Sequence, residues 1–144
     1  MTETPTPTMQ RSQELVDLLT EFYRAARASD TSALERLISR SDTTLMIGTD
    51  PQEWWSGYDD ILRVFTAQSE EMGGFPISLG DPVAYAEGTM GWIADRPRLG
   101  IADGEIEMRV SFVAHQEDGQ WKLIHGHFSI GVPNEEAIGQ DLTV

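Results

Sequence analysis

Residues 121–130 read WKLIHGHFSI. His125 and His127, two of the chain's three histidines, stand two apart here, and Ser129 follows two later. Side chains alternate on a strand, so Ile124, Gly126, Phe128 and Ile130 share one face, and Trp121, Leu123, His125, His127 and Ser129 share the other. The preceding run EIEMRVSFVAH (105–115) alternates too. Ile106, Met108, Val110, Phe112 and Ala114 lie on one face; Glu107, Arg109, Ser111 and His115 lie on the other, with Val113 the exception.

Asp118-Gly119 between the two runs is a hairpin signal, and its loop length decides which faces meet. A two-residue loop sets Phe128 beside Arg109. A three-residue loop, Glu117-Asp118-Gly119, sets Phe128 beside Met108. Only the second joins apolar to apolar, and a slip of one residue flips every side chain. The patterning therefore predicts the three-residue loop, with His125 and His127 on a polar face near Glu107, Arg109 and Ser111, turned away from any helices.

Outward from this hairpin, TMGWIADRPRL (89–99) and ISLGDPVAYAEG (77–88) read as further strands, and Asp103-Gly104 is a second hairpin signal. TTLMIGTD (43–50) is a short β-branched strand closed by Asp50-Pro51. The rest is helical in period. Leu15, Leu18, Leu19, Phe22 and Ala26 form one stripe. Ser32-Ala-Leu-Glu35 has capping-box spacing and precedes Leu34, Leu37 and Ile38 in a second helix. A third helix over 58–72 carries Ile61, Val64, Phe65 and Met72 and stops at Gly73-Gly74, with Gln68 on its apolar stripe. Three helices in the N-terminal half grouped against one antiparallel sheet make an α+β plan. Residues 1–10 are read as a disordered Thr/Pro-rich tail, 11–134 as a single domain and 135–144 as a C-terminal tail.

Lys plus Arg number 10 against 24 Asp plus Glu, a formal charge of −14. Such a surface repels phosphate backbones and anionic lipid, so neither nucleic acid nor membrane is an expected partner. The absence of cysteine removes thiol chemistry. MTETPTPTMQ has neither the basic nor the apolar region of a signal peptide, and the default location is cytoplasmic.

The element order and the closing WKLIHGHFSIGVP resemble the SnoaL-like domains of the nuclear-transport-factor-2-like (ketosteroid isomerase-like) superfamily. IGTDPQEWWSGY, GWIADRP and HFSIGVPNEE are similar to segments of bacterial members, and the likeness spans about residues 12–134. The resemblance implies a strongly curved sheet wrapped around helices into a cone with an apolar pocket, and a homodimer through the outer sheet face. It does not imply one activity, since isomerases, cyclases, hydrolases, dehydratases and non-enzymatic domains share this fold. Isomerase chemistry is not expected. The family's tyrosine falls on Phe22, its catalytic aspartate near Ile47 and its second acid near Ser111 or Phe112, so base and oxyanion donor are both missing. The closing strand also resembles the association domain of calmodulin-dependent protein kinase, which shares H-x-H-x-S without a metal. An arginine in that domain's pocket is replaced here by Phe128, so an anion-binding pocket is not expected.

His125 and His127, with Glu107 as a third group, can be read as metal ligands. A sheet-face pair at a dimer contact is the preferred reading, and no metal and no cofactor are expected. Trp54-Trp55 can wall a pocket or plug the core, and both readings stay open. Gln68 is placed toward the pocket. Asp50 and Glu53 are read as turn and cap residues before acid/base groups. Asp95-Arg96 is read as a surface hairpin pair. The expectation is a mainly apolar pocket for a small organic ligand, lined by Phe22, Ile47, Trp54, Trp55, Phe65, Gln68, Met108, Phe112 and Phe128. The alternatives are a cofactor-free isomerase, cyclase or hydrolase, using Asp50, Glu53 or a histidine as base, and a non-catalytic dimerisation module.

Overall fold

The computed structural model describes residues 8–144. The part of the expected tail at residues 1–7 lies outside them. The elements are β1 (Gln10–Arg11), α1 (Gln13–Ala28), α2 (Thr31–Leu37), β2 (Leu45–Ile47), β3 (Trp54–Ser56), α3 (Tyr58–Glu71), β4 (Ile77–Ser78), β5 (Val83–Glu87), β6 (Met90–Asp95), β7 (Arg98–Ile101), β8 (Gly104–Glu107), β9 (Arg109–Glu117), β10 (Gln120–Ser129) and α4 (Asn134–Ile138). A curved, unclosed sheet runs in the order β1-β5-β6-β9-β10-β2-β3, and a small sheet β4-β7-β8 stands beside it. Every pair of strands is antiparallel except β2 with β10, and a single parallel bridge joins Ile38 to Leu123.

The central hairpin differs from its predicted loop but keeps the predicted faces. Gln120 pairs with Glu117, so Asp118 and Gly119 alone make the turn, both with positive φ (52° and 78°), as a primed two-residue turn demands. That register would oppose Phe128 to Arg109. A bulge between Leu123 and His125 shifts it by one, and Phe128 pairs with Val110, Gly126 with Phe112 and His127 with Ser111. Burial of the apolar face thus overrides the slip that the turn introduces. One consequence went unforeseen: ahead of the bulge Leu123 faces inward and is fully buried opposite Ala114.

Several predicted strands are broken. Residues 105–115 part at Met108, whose N–H donates to Pro97 O; β8 then pairs with β7 and β9 with β6. Glu107 consequently pairs with Arg98 in the small sheet rather than standing with the histidines. The 89–99 run parts at Arg96-Pro97, where proline has no N–H for a ladder. Asp95 holds this corner and is not a surface residue: it is 5% exposed, and its Oδ2 accepts from Tyr23 Oη at 3.0 Å and from Gly80 N at 3.2 Å. Burial, and then the neighbouring Asp95 carboxylate, pushes the Tyr23 hydroxyl well above the usual tyrosine range.

The helices fill the concave side. Ser12 caps α1 by accepting from Leu15 N, and the whole predicted stripe is buried. Asp30, not Ser32, caps α2, accepting from Ala33 N at 3.1 Å. Ser29 takes a left-handed φ of 51° to make the sharp α1–α2 turn, and α2 begins at Thr31, so Ser32 already lies inside the helix. Helix α3 buries Ile61, but Met72 at its C-terminus is 47% exposed because Gly73 and Gly74 turn the chain away there. Phe22, Phe112 and Phe128 then stack in edge-to-face sequence between α1 and the sheet, with centroids 5.5 and 5.4 Å apart.

Two predictions follow from this packing. A Cβ at Gly126 would lie 2.6 Å from the Phe112 ring and 2.8 Å from Met46 Sδ. Gly126→Ala should therefore cost about 1–3 kcal/mol, read as a lowered midpoint of denaturant unfolding. At the far end of the hairpin, burial raises the Glu117 carboxyl. Hydrogen bonds from Ser39 Oγ (2.6 Å) and His115 Nδ1 (3.0 Å), with the charges of His115 and Lys122, outweigh that and hold it below the usual carboxylate range. A lowered carboxyl stabilises the fold above its unfolded pKa, and that stability is lost as pH falls through the folded value. Ser39→Ala should thus lower the melting temperature at neutral pH, and the difference from wild type should shrink below about pH 4.

Candidate functional site

The helices and the curved sheet enclose a cavity of about 210 Å³. Helix α1 contributes Phe22 and Ala26; α3 contributes Phe65, Gln68 and Ser69. The β2–β3 connection gives Gly48, Thr49 and Glu53, and β3 gives Trp55. Met108 at the strand break, Phe128 on β10, and Phe75, Ile77 and Leu99 near the small sheet complete most of the wall. Thr49 and the 45% exposed Ile130 mark its opening to solvent.

Six of the nine expected pocket residues meet here: Phe22, Trp55, Phe65, Gln68, Met108 and Phe128. Of the other three, Ile47 and Trp54 are turned away by strand alternation and Phe112 is buried behind the wall. Met46 pairs with Trp55 and Ile47 with Trp54. Met46 and Trp55 point inward, so Ile47 and Trp54 occupy the outer face, where Trp54 is 65% exposed. Phe112 is 1% exposed and stands behind the wall, between Phe22 and Phe128. The pair Trp54-Trp55 therefore splits, one ring inside and one outside. Trp55 packs edge-to-face on Phe65 at 5.8 Å, and Phe65 on Phe128 at 6.1 Å.

The charged group of the cavity is Glu53. Its Oε2 accepts from Gln68 Nε2 at 2.7 Å and its Oε1 from Asp50 N at 2.8 Å. Asp50 has the turn role expected of it, its Oδ1 accepting from Gln52 N at 2.9 Å. Glu53 has that local role and also reaches the cavity, because Gln68 lies across from it on α3. Gly48 is needed for this placement, since a Cβ there would fall 2.6 Å from Glu53 Oε1. The pairing of Glu53 with Gln68 was invisible in sequence, where the two stand fifteen residues apart in different elements.

Both histidines lie on the outer face, His127 opposite Ser111 and near Arg109, His125 opposite Val113. His125 Nδ1–H donates to Leu45 O across the parallel junction at 2.9 Å, and His127 is exposed. Among the described residues, no group of three His, Cys, Asp or Glu side chains is arranged to hold a metal ion, and no helix is long and apolar enough to cross a membrane.

Solved structures share this architecture. An NTF2-like protein of unknown function from Pseudomonas putida KT2440 superposes with a TM-score of 0.73 at 19% identity, over 90% of this chain and 91% of that one. A protein with a cystatin-like fold from Caulobacter vibrioides gives 0.70 at 16%, over 86% and 92%. A provisionally named dehydratase of the NTF2-like family from Streptomyces avermitilis gives 0.71 at 17%, over 83% and 95%. At these identities the likeness is one of fold. Among curated proteins the sequence finds no match. The model of the SnoaL-like domain matches residues 15–133, from the first buried leucine of α1 to the proline before α4, and the chain belongs to that SnoaL-like family.

Proposed function

We propose that this protein binds a small, mostly apolar organic molecule in the cavity behind Trp55. The observation that carries this reading is the lining: five aromatic side chains, Phe22, Trp55, Phe65, Phe75 and Phe128, share the wall with one carboxylate, Glu53, to which the Gln68 amide donates. Ligand sites combine an apolar wall with a few placed polar groups in this way. A module that served only to dimerise would have no use for the space.

A second reading has its own observation. Glu53 is a carboxylate at an apolar cavity with an N–H donor, Gln68 Nε2, beside it. A base and a nearby donor are the minimum for cofactor-free proton transfer, with Glu53 as base. The Streptomyces avermitilis neighbour's provisional name supports this reading only by analogy of fold.

We also propose a homodimer through the outer sheet face. Across the strands, Tyr85, Trp92, Val113, His125 and Leu45 form one outward row, and Ala94, Ser111, His127, Ile47 and Trp54 the next. Trp92 is 41% exposed and Met90 45%, an apolar surface of the kind that a second copy covers.

The ligand reading is tested by calorimetric titration with a neutral aromatic alcohol, 2-phenylethanol. Trp55→Ala should weaken binding at least roughly tenfold, whereas Trp54→Ala should leave it within about twofold. Equal affinities for both variants and wild type would place the ligand elsewhere or nowhere. For the interface, sedimentation velocity should give a dimer for wild type and a monomer for Trp92→Asp and for the His125→Asp, His127→Asp double variant. A monomeric wild type at micromolar concentration would end the dimer proposal.

A further inference from the structure

The charge balance of the cavity points to the class of ligand, an inference that rests on reading the cavity as a ligand site. Glu53 is its one charged lining residue, and no lysine, arginine or histidine lines it. Among the described residues no salt bridge neutralises Glu53. Its hydrogen bonds come from neutral donors: the Asp50 backbone and, at 3.5 Å, the Thr49 hydroxyl on Oε1, and the Gln68 amide on Oε2. Oε2, with one such bond, keeps acceptor capacity for another donor. A negative charge is thus set among aromatic rings with its own counter-charge left out.

We propose that the cavity takes a protonated amine carried on an apolar body, with Glu53 as the partner of the ammonium. An ammonium N–H donated to a Glu53 oxygen makes a charge-assisted bond, stronger than a hydroxyl can make at the same place. Trp55 and Phe65 line the same cavity, and aromatic rings attract a cation electrostatically. A carboxylate ligand would bring a second negative charge to a wall with nothing to balance it. The net charge of −14 also draws cations toward the molecule at long range. Gln68 serves by holding Glu53 toward the cavity.

The test titrates full-length protein at pH 7 and about 0.15 M salt, where long-range attraction is screened, with 2-phenylethylamine, 2-phenylethanol and phenylacetate. The three share a ring and a two-carbon arm and differ in the polar end. The amine should bind roughly tenfold tighter than the alcohol, and phenylacetate weakest. Glu53→Gln moves the net charge only from −14 to −13, yet should bring amine and alcohol within about twofold of each other. A preference for the amine that survives Glu53→Gln would assign it to the surface and overturn the proposal. Alcohol binding as tight as amine binding in wild type, or phenylacetate binding tightest, would overturn it while leaving the ligand site standing. No binding of any of the three would remove the ligand site as well. Should Glu53→Gln fail to fold, by circular dichroism, the wild-type ranking decides, repeated at about 0.5 M salt: the amine's preference should persist there, and its loss would assign it to the surface charge and overturn the proposal.

Discussion

One inserted residue governs which side of the central hairpin is apolar. The Asp118-Gly119 turn, left alone, would set Phe128 against Arg109. The bulge at Ile124 corrects the register halfway along β10. Gly126 then accepts the Phe112 ring, Phe128 reaches the cavity wall, and both histidines face outward. The extra residue leaves a local break in the ladder, but it lets a two-residue turn and a buried aromatic stack coexist. The aromatic run from Phe22 through Phe112 and Phe128 to Phe65 and Trp55 follows from that choice.

The second organising constraint is the corner at Asp95-Arg96-Pro97. The chain leaves the large sheet there, and it returns at Met108. The small sheet so formed brings Ile77 and Leu99 to the cavity from a side that the large sheet alone could not cover. Asp95 ties the corner to α1 through Tyr23 and to the Gly80 loop. Its Oδ1 is buried without a partner. Losing the Tyr23 bond would leave a buried carboxylate still less satisfied, which is why this tyrosine is a structural residue rather than a spare aromatic of the core.

Periodicity carried much of the fold. The α1 stripe, the stop at Gly73-Gly74 and the facing of β9 were all legible, because burial of one face imposes a period that a single sequence displays. Interruptions were less so. Nothing in 105–115 marks Met108 as the point where pairing changes partner, since its backbone partner is Pro97, in the corner between β6 and β7. The short helix α4 fell in what reads as a tail; it buries no residue and so leaves no stripe to detect. For the site, ring-bearing residues were easy to collect and hard to orient. Trp54 and Ile47 share the composition of a pocket wall, but a three-residue strand gives too short a run to fix which face is which. Glu53 was masked by the turn it belongs to, and only its reach to Gln68 distinguishes it from other acids near a Pro-containing turn.

The parallel pairing of β2 with β10 bears on how the chain reaches its native state. Leu45, Met46 and Ile47 find their partners at His125, Gly126 and His127, across some eighty intervening positions. Closing so long a loop carries an entropic cost that local contacts must offset first, and folds rich in such pairings form slowly. During synthesis the helices and β2–β3 emerge well before β10, so Met46 and Trp55 have no strand to lean on until the last quarter of the chain is made. In that interval the inner wall of the future cavity is an unprotected apolar edge, and like negative charge on each copy opposes their association through it.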